Sequence, residues 1–237
     1  MRSIVYNGVD LSEWSSAEVV EKAALPVVPD TMVVPGRAGA LLVSGRIPPR
    51  LVRVQLYMDA GFKPGTNGLA DIRHRVYAAF CSTVGGTLRL PDELELEYRD
   101  AVCTDAGSWS SLFEDGKGEV SFALLDPVAY GLARSEAGTS FETGGSWPTW
   151  PAFELVASAD SAVQVGCGDA FVRVEHAFSG GEVVHIDCES EGVTVDGVDA
   201  RVDVTLASDF FSLSPGSCEL SFTGCSSHTT SFRERWL

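Results

Sequence analysis

The chain has 237 residues, 45% of them apolar and 21% charged, and carries a net charge of −16. That length holds one large or two ordinary domains, each with its own core, and the composition excludes a disordered chain. No apolar run approaches the ~18–20 residues a bilayer span needs. So acidic a surface repels free nucleic acid and anionic membranes, although DNA can still pass nearby without binding.

The opening stretch, MRSIVYNGVD, has no apolar core of the signal-peptide type, so the chain is expected to be made and kept in a cytoplasm. The six cysteines (81, 103, 167, 188, 218, 225) then read as reduced thiols, and none is spaced as Cys-x-x-Cys. Residues 31–58 contain no acid but hold Arg37, Arg46, Arg50 and Arg53. A basic segment on an acidic chain is a candidate docking surface for an acidic partner, including another copy of itself. Its alternative is a set of solvated arginines on a strand pair. Within it, PGRAG (35–39) reads as a turn between TMVV and ALLV. LVRVQLYMD (51–59) alternates, with Val52, Val54, Leu56 and Met58 on one face.

GTNG (65–68) leads into GLADIRHRVYAAFCS, where Leu69, Ile72, Val76 and Phe80 recur at helical spacing. A helix over 68–82 is predicted, capped by Thr66 or Asn67, with Asp71 in its first turn and Gly85-Gly86 beyond its end. Alternation resumes in ELELEYR (93–99), EVSFALL (119–125) and at 171–176, 183–189, 201–206 and 217–222, and VDGV (195–198) carries a hairpin Asp-Gly. ARSEAGTSFETGG is small and polar and reads as a linker over 134–145. The expected fold is mainly β in two domains: a sandwich or barrel-like domain with one helix over 1–133, and a second β-sandwich over 146–237. Charge is uneven, because residues 140–237 hold 15 acids against four arginines.

HIDCESEG (185–192) gathers a histidine, a cysteine and acids at alternate positions. A strand explains it without chemistry: Val184, Ile186 and Cys188 face in, while His185, Asp187, Glu189 and Glu191 face water. Acids ~6.6–7 Å apart along a straight strand cannot share one ion, so no metal site is expected. His176 follows Val172 and Val174 and reads as a core histidine. There is no Gly-x-Ser-x-Gly, His-Glu-x-x-His, P-loop or dinucleotide fingerprint, so no catalytic residue and no cofactor are assigned. Two alternatives stay open. Trp147 and Trp150 could stack on a sugar, which would make a carbohydrate-binding β-sandwich module, or fill a core edge. A glycoside hydrolase of β fold could assemble its carboxylate pair from distant acids.

Three C-terminal motifs carry a resemblance: Gly181, Ile186 and Asp187; Phe210, Phe211, Leu213, Pro215 and Gly216; and Arg233, Arg235 and Trp236. With Pro35, Gly36, Arg37, Gly39 and Asp126-Pro127 they run the length of the chain in the order found in the distal tail proteins of long non-contractile-tailed phages, which this chain resembles. Ser217-Cys218 stands where that family often has asparagine after the proline-glycine. The resemblance implies an N-terminal domain that builds a hexameric ring around a channel for DNA, with no sequence-specific nucleic-acid binding. The ring would join the tail tube to a tail-associated hub or lysin protein. It also implies a galectin-like C-terminal sandwich as a platform for receptor-binding proteins, a place at the virion tail tip, and neither cofactor nor catalysis. The last strand, 229–237, is expected to return to the N-terminal domain.

Overall fold

The structure, a computed structural model, describes residues 2–59, 68–106 and 114–237, and it divides into units 1–129 and 130–237. Among the described residues of the first unit the strands are β1 (Val5–Tyr6), β2 (Val9–Asp10), β3 (Ser15–Lys22), β4 (Val28–Met32), β5 (Leu41–Arg46), β6 (Arg50–Met58), β7 (Gly86–Arg89), β8 (Glu97–Asp105) and β9 (Lys117–Leu124). Seven pair antiparallel in the order β2–β1–β7–β8–β9–β6–β3. The far flank of β3 meets the chain start again: Ala17 N–H donates to the Arg2 carbonyl at 2.9 Å, and the Ser3 and Ser15 hydroxyls are 3.2 Å apart. The sheet therefore curls back on itself, which shields edges that would otherwise pair with other chains.

The alternation of β6 and β9 fills the inside of this sheet: Val52, Val54, Leu56, Val120, Phe122 and Leu124 are all buried. One helix, α1 (Gly68–Phe80), packs there through Ile72, Val76 and Phe80, the residues its periodicity predicts, together with Ala79. The expected caps Thr66 and Asn67 and the Leu69 side chain lie outside the described residues. Asn7 fixes the far end of α1, its amide donating to the Ala79 carbonyl at 3.0 Å. The Phe80 ring meets Tyr6 at 5.1 Å and Phe122 at 5.7 Å. The Tyr6 hydroxyl finds the Ala101 carbonyl at 3.0 Å, so this aromatic cluster leaves no polar group stranded.

ELELEYR is not a strand from its start. Leu96 N–H bonds back to the Glu93 carbonyl at 2.9 Å and Glu93 N–H to Leu90, so local turns hold 90–96 and β8 begins at Glu97. Leu94, expected inside, is exposed.

The second unit contains β10 (Ala129–Glu136), β11 (Ser140–Thr143), β12 (Ala152–Ala157), β13 (Ala162–Cys167), β14 (Ala170–Glu175), β15 (Val183–Asp187), β16 (Gly192–Val195), β17 (Val198–Asp199), β18 (Gly216–Glu219), β19 (Ser221–Thr223) and β20 (Cys225–Trp236). One sheet runs β17–β16–β15–β12–β20–β10, a second β14–β13–β19, and β11 pairs with β18. Phe153, Leu155, Val184, Ile186, Val193 and Val195 from the first sheet share one core with Val163, Val165, Val172 and Val174 from the second. Two sheets thus bury their facing sides against each other, as a sandwich requires.

Two expectations change here. Residues 134–145 are not a linker, since they hold the end of β10 and all of β11, which pairs with β18 far along the chain. Residues 201–206 are not a strand. Arg201–Asp203 form a 3₁₀ turn held by Asp203 N–H to the Ala200 carbonyl, and Val202 is 92% exposed. The closing strand lies between β12 and β10 and pairs with β12 from Ala152↔Ser231 to Ala157↔Cys225. The Asp-Gly turn forms as read, with Asp196 and Gly197 both at positive φ between β16 and β17.

Candidate assembly interface

The basic segment 31–58 is resolved into unlike parts. Arg53 on β6 is paired with Glu21 and lies 3.6 Å from Glu119, so its charge is matched within the unit. Arg50, half-buried, sits beside Tyr98 and Glu93. Glu93 accepts from the Lys22 ammonium at 2.5 Å and from the Tyr98 hydroxyl at 2.7 Å. Desolvation pushes the Glu93 carboxyl upward, but the Lys22 and Tyr98 hydrogen bonds and the charges of Lys22 and Arg50 outweigh it and hold the group below the usual glutamate range. Burial and the neighbouring Glu93 push the Tyr98 phenol well up. Arg50 is therefore part of a folded-state network. Arg37 and Arg46 are exposed on the hairpin that β4 and β5 form.

That hairpin presents an unusual surface. It is a two-stranded sheet of its own, outside the seven-strand order. Leu42 is 69% exposed and its neighbour Val43 65%, although adjacent strand residues point to opposite faces. Val27, Met32 and Val33 are also more than half exposed. Both faces of an apolar hairpin are thus uncovered, and an isolated pair of strands is marginal in water. The arginines drew attention to this segment while its apolar residues carried the stronger signal. TMVV and ALLV do not alternate with polar residues, so each strand shows apolar side chains on both sides.

In the second unit Asp187 ends β15 instead of lying mid-strand. It accepts the Glu189 N–H at 2.9 Å and the Ser190 hydroxyl at 2.7 Å. Burial raises its carboxyl, but the Ser190 and Glu189 hydrogen bonds prevail and hold it low. Glu189 and Glu191 therefore lie on a turn, with Glu191 at positive φ, while Val184, Ile186 and Cys188 are buried as expected. Among the described residues no three His, Cys, Asp or Glu side chains are grouped as metal ligands. His176 is not a core residue: β14 stops at Glu175, and the exposed ring meets Asp203 at 2.8 Å. Trp147 is half-buried, with its backbone N–H donating to the Arg235 carbonyl, and Trp150 is 37% exposed.

The motifs near the C-terminus have structural work. Phe211 and Leu213 enter the sandwich core. Arg235 lies over the Tyr130 ring at 5.1 Å, and a side chain at Gly131 would sit 2.8 Å from the Trp236 ring. Residues 144–236 match the family model of the siphovirus-type tail component, C-terminal domain. This part of the chain is similar to that domain.

The fold is similar to that of solved phage structures. The crystal structure of SPP1 Dit, described as a paradigm of the hub adsorption apparatus in phages that infect Gram-positive bacteria, matches over 100% of both chains at a TM-score of 0.73 and 19% identity. A chain of the phage p2 baseplate in its activated conformation with Sr matches over 92% of this chain and 90% of its own, with a TM-score of 0.51 at 7% identity. The Ca form gives 0.50 over the same shares. At these identities the likeness is one of fold. No curated protein matches.

Proposed function

We propose that this protein is a structural distal tail protein of a siphophage. Its first unit assembles with copies of itself into a ring of about six subunits around a DNA channel. The ring joins the tail tube to a tail-associated hub protein. The second, galectin-like unit is a platform for receptor-binding proteins, and the assembled protein resides at the virion tail tip after synthesis in the host cytoplasm. This role needs no catalysis and no cofactor.

The observation that carries the reading is the bare β4–β5 hairpin. Large exposed apolar surfaces mark interaction sites. A ring subunit needs two different patches that meet head to tail. The hairpin adds Arg37 and Arg46 to its apolar residues, while the chain as a whole is at −16, so the neighbouring copy supplies complementary charge. Replacing Leu42 and Val43 by Asp tests this. The variant is expected to keep its thermal midpoint and to lose assembly by light scattering. Assembly equal to wild type would refute the hairpin's role. The carbohydrate reading rests on Trp150, and sugar-dependent stabilisation lost in Trp150→Ala would favour it.

A further inference from the structure

We propose that Cys167 and Cys218 form an oxidisable pair, which closes into a disulfide tying β13 to β18. The strand pattern brings them together. β13 pairs with β19 up to Gly166↔Ser221, and Cys167 is its next residue. Continued by one step, that register sets Cys167 opposite Leu220, and Cys218 lies two residues further along β18, on the same alternating, core-facing side. Cys218 is buried in the sandwich core, and Cys167 packs half-buried on that core. Cys167 is also close enough to Cys218 to act on its thiol.

Reagents have a way in. A crevice of about 310 Å³ is lined by Thr139, Gly166, Gly168, Glu219, Leu220 and Ser221, which include the sequence neighbours of both cysteines. Burial, and then the neighbouring Cys167, push the Cys218 thiol up to about 12, so Cys218 is a poor first nucleophile. The half-exposed Cys167 attacks first. With glutathione disulfide as oxidant, the Cys167 thiolate takes one glutathione sulfur, and the other glutathione leaves as a thiolate and is protonated. Cys218 then gives its proton to solvent and attacks the Cys167 sulfur, which expels the second glutathione. Two protein thiols are oxidised and one glutathione disulfide becomes two thiols. The clasp is open in a reducing compartment and closed in an oxidising one.

The test is a disulfide map of the full chain under native conditions. The protein is incubated with glutathione disulfide, alkylated and digested with trypsin without reduction. The expected product links the peptide Ser135–Arg173 to Val202–Arg233, with fragmentation assigning the bond to Cys218 and not to Cys225. Oxidation should raise the melting temperature by roughly 5–10 °C, reversibly with dithiothreitol. Cys225→Ser should keep the link, while Cys167→Ser and Cys218→Ala should abolish it. Exhaustive oxidation that leaves Cys167 only glutathionylated, or bonded to another cysteine, would overturn the assignment. If Cys218→Ala does not fold, the wild-type map decides alone.

Discussion

Glu93 gathers two cations and a phenol around one carboxylate. Lys22 donates at 2.5 Å, Tyr98 at 2.7 Å, and Arg50 adds its charge from nearby. Because the folded-state carboxyl titrates below its ordinary value, its contribution is fully present above the usual glutamate range of about 4.3. It is lost as the pH falls through the lower native value. Glu93→Gln should cost about 1–3 kcal/mol near neutral pH and flatten the acid limb of stability, as measured by urea unfolding across pH. Arg50 and Arg46, alike in the sequence, should separate in the same assay. Arg50→Glu sets a second carboxylate beside Glu93 and should lower stability by about 1–3 kcal/mol. Arg46→Glu, on the exposed hairpin, should stay within about 0.5 kcal/mol and weaken assembly instead. Position along the chain could not show this difference, because the partners of Arg50 come from 93 and 98. His176 misled for a related reason. Its strand ends one residue earlier, and its partner Asp203 is supplied by a turn 27 residues away.

The elements most visible in the sequence were those whose pattern reflects burial on one face. β6, β9 and α1 lie where period two and period 3.6 put them, because Val52, Val54, Leu56 and Ile72, Val76, Phe80 each face one core. Phe153→Ala should test the second core in the same terms. Its ring is fully buried, 5.8 Å from Phe211 and 6.1 Å from Phe222. The substitution should cost about 3–5 kcal/mol in denaturant unfolding, and a cost under about 1 kcal/mol would mean the sheets are not packed as described. Elements defined by distant pairing were hidden. β11 is small and polar because only Phe141 and Thr143 turn inward, so nothing periodic distinguishes it from a linker. The alternation at 201–206 arose from a 3₁₀ turn whose valine points to water. The hairpin β4–β5 was located correctly by PGRAG, yet its uncovered faces could be seen only once the remaining strands were placed.

At the scale of the whole molecule, the family match and the fold likeness differ in reach. The C-terminal family match covers 144–236, and the fold likeness to SPP1 Dit covers all of both chains. The proposed ring would be a property of several chains, so neither the order of motifs nor one subunit's coordinates contains it; the bare hairpin is the feature of the monomer from which it is proposed. The most direct measurement is size-exclusion chromatography with light scattering on the full chain, over a wide concentration range, beside the Leu42→Asp, Val43→Asp variant. The account predicts a wild-type mass near a multiple of about six times 25.2 kDa, and a folded monomer for the variant. A wild type that stays at 25.2 kDa throughout, or a variant that assembles equally well, would contradict it.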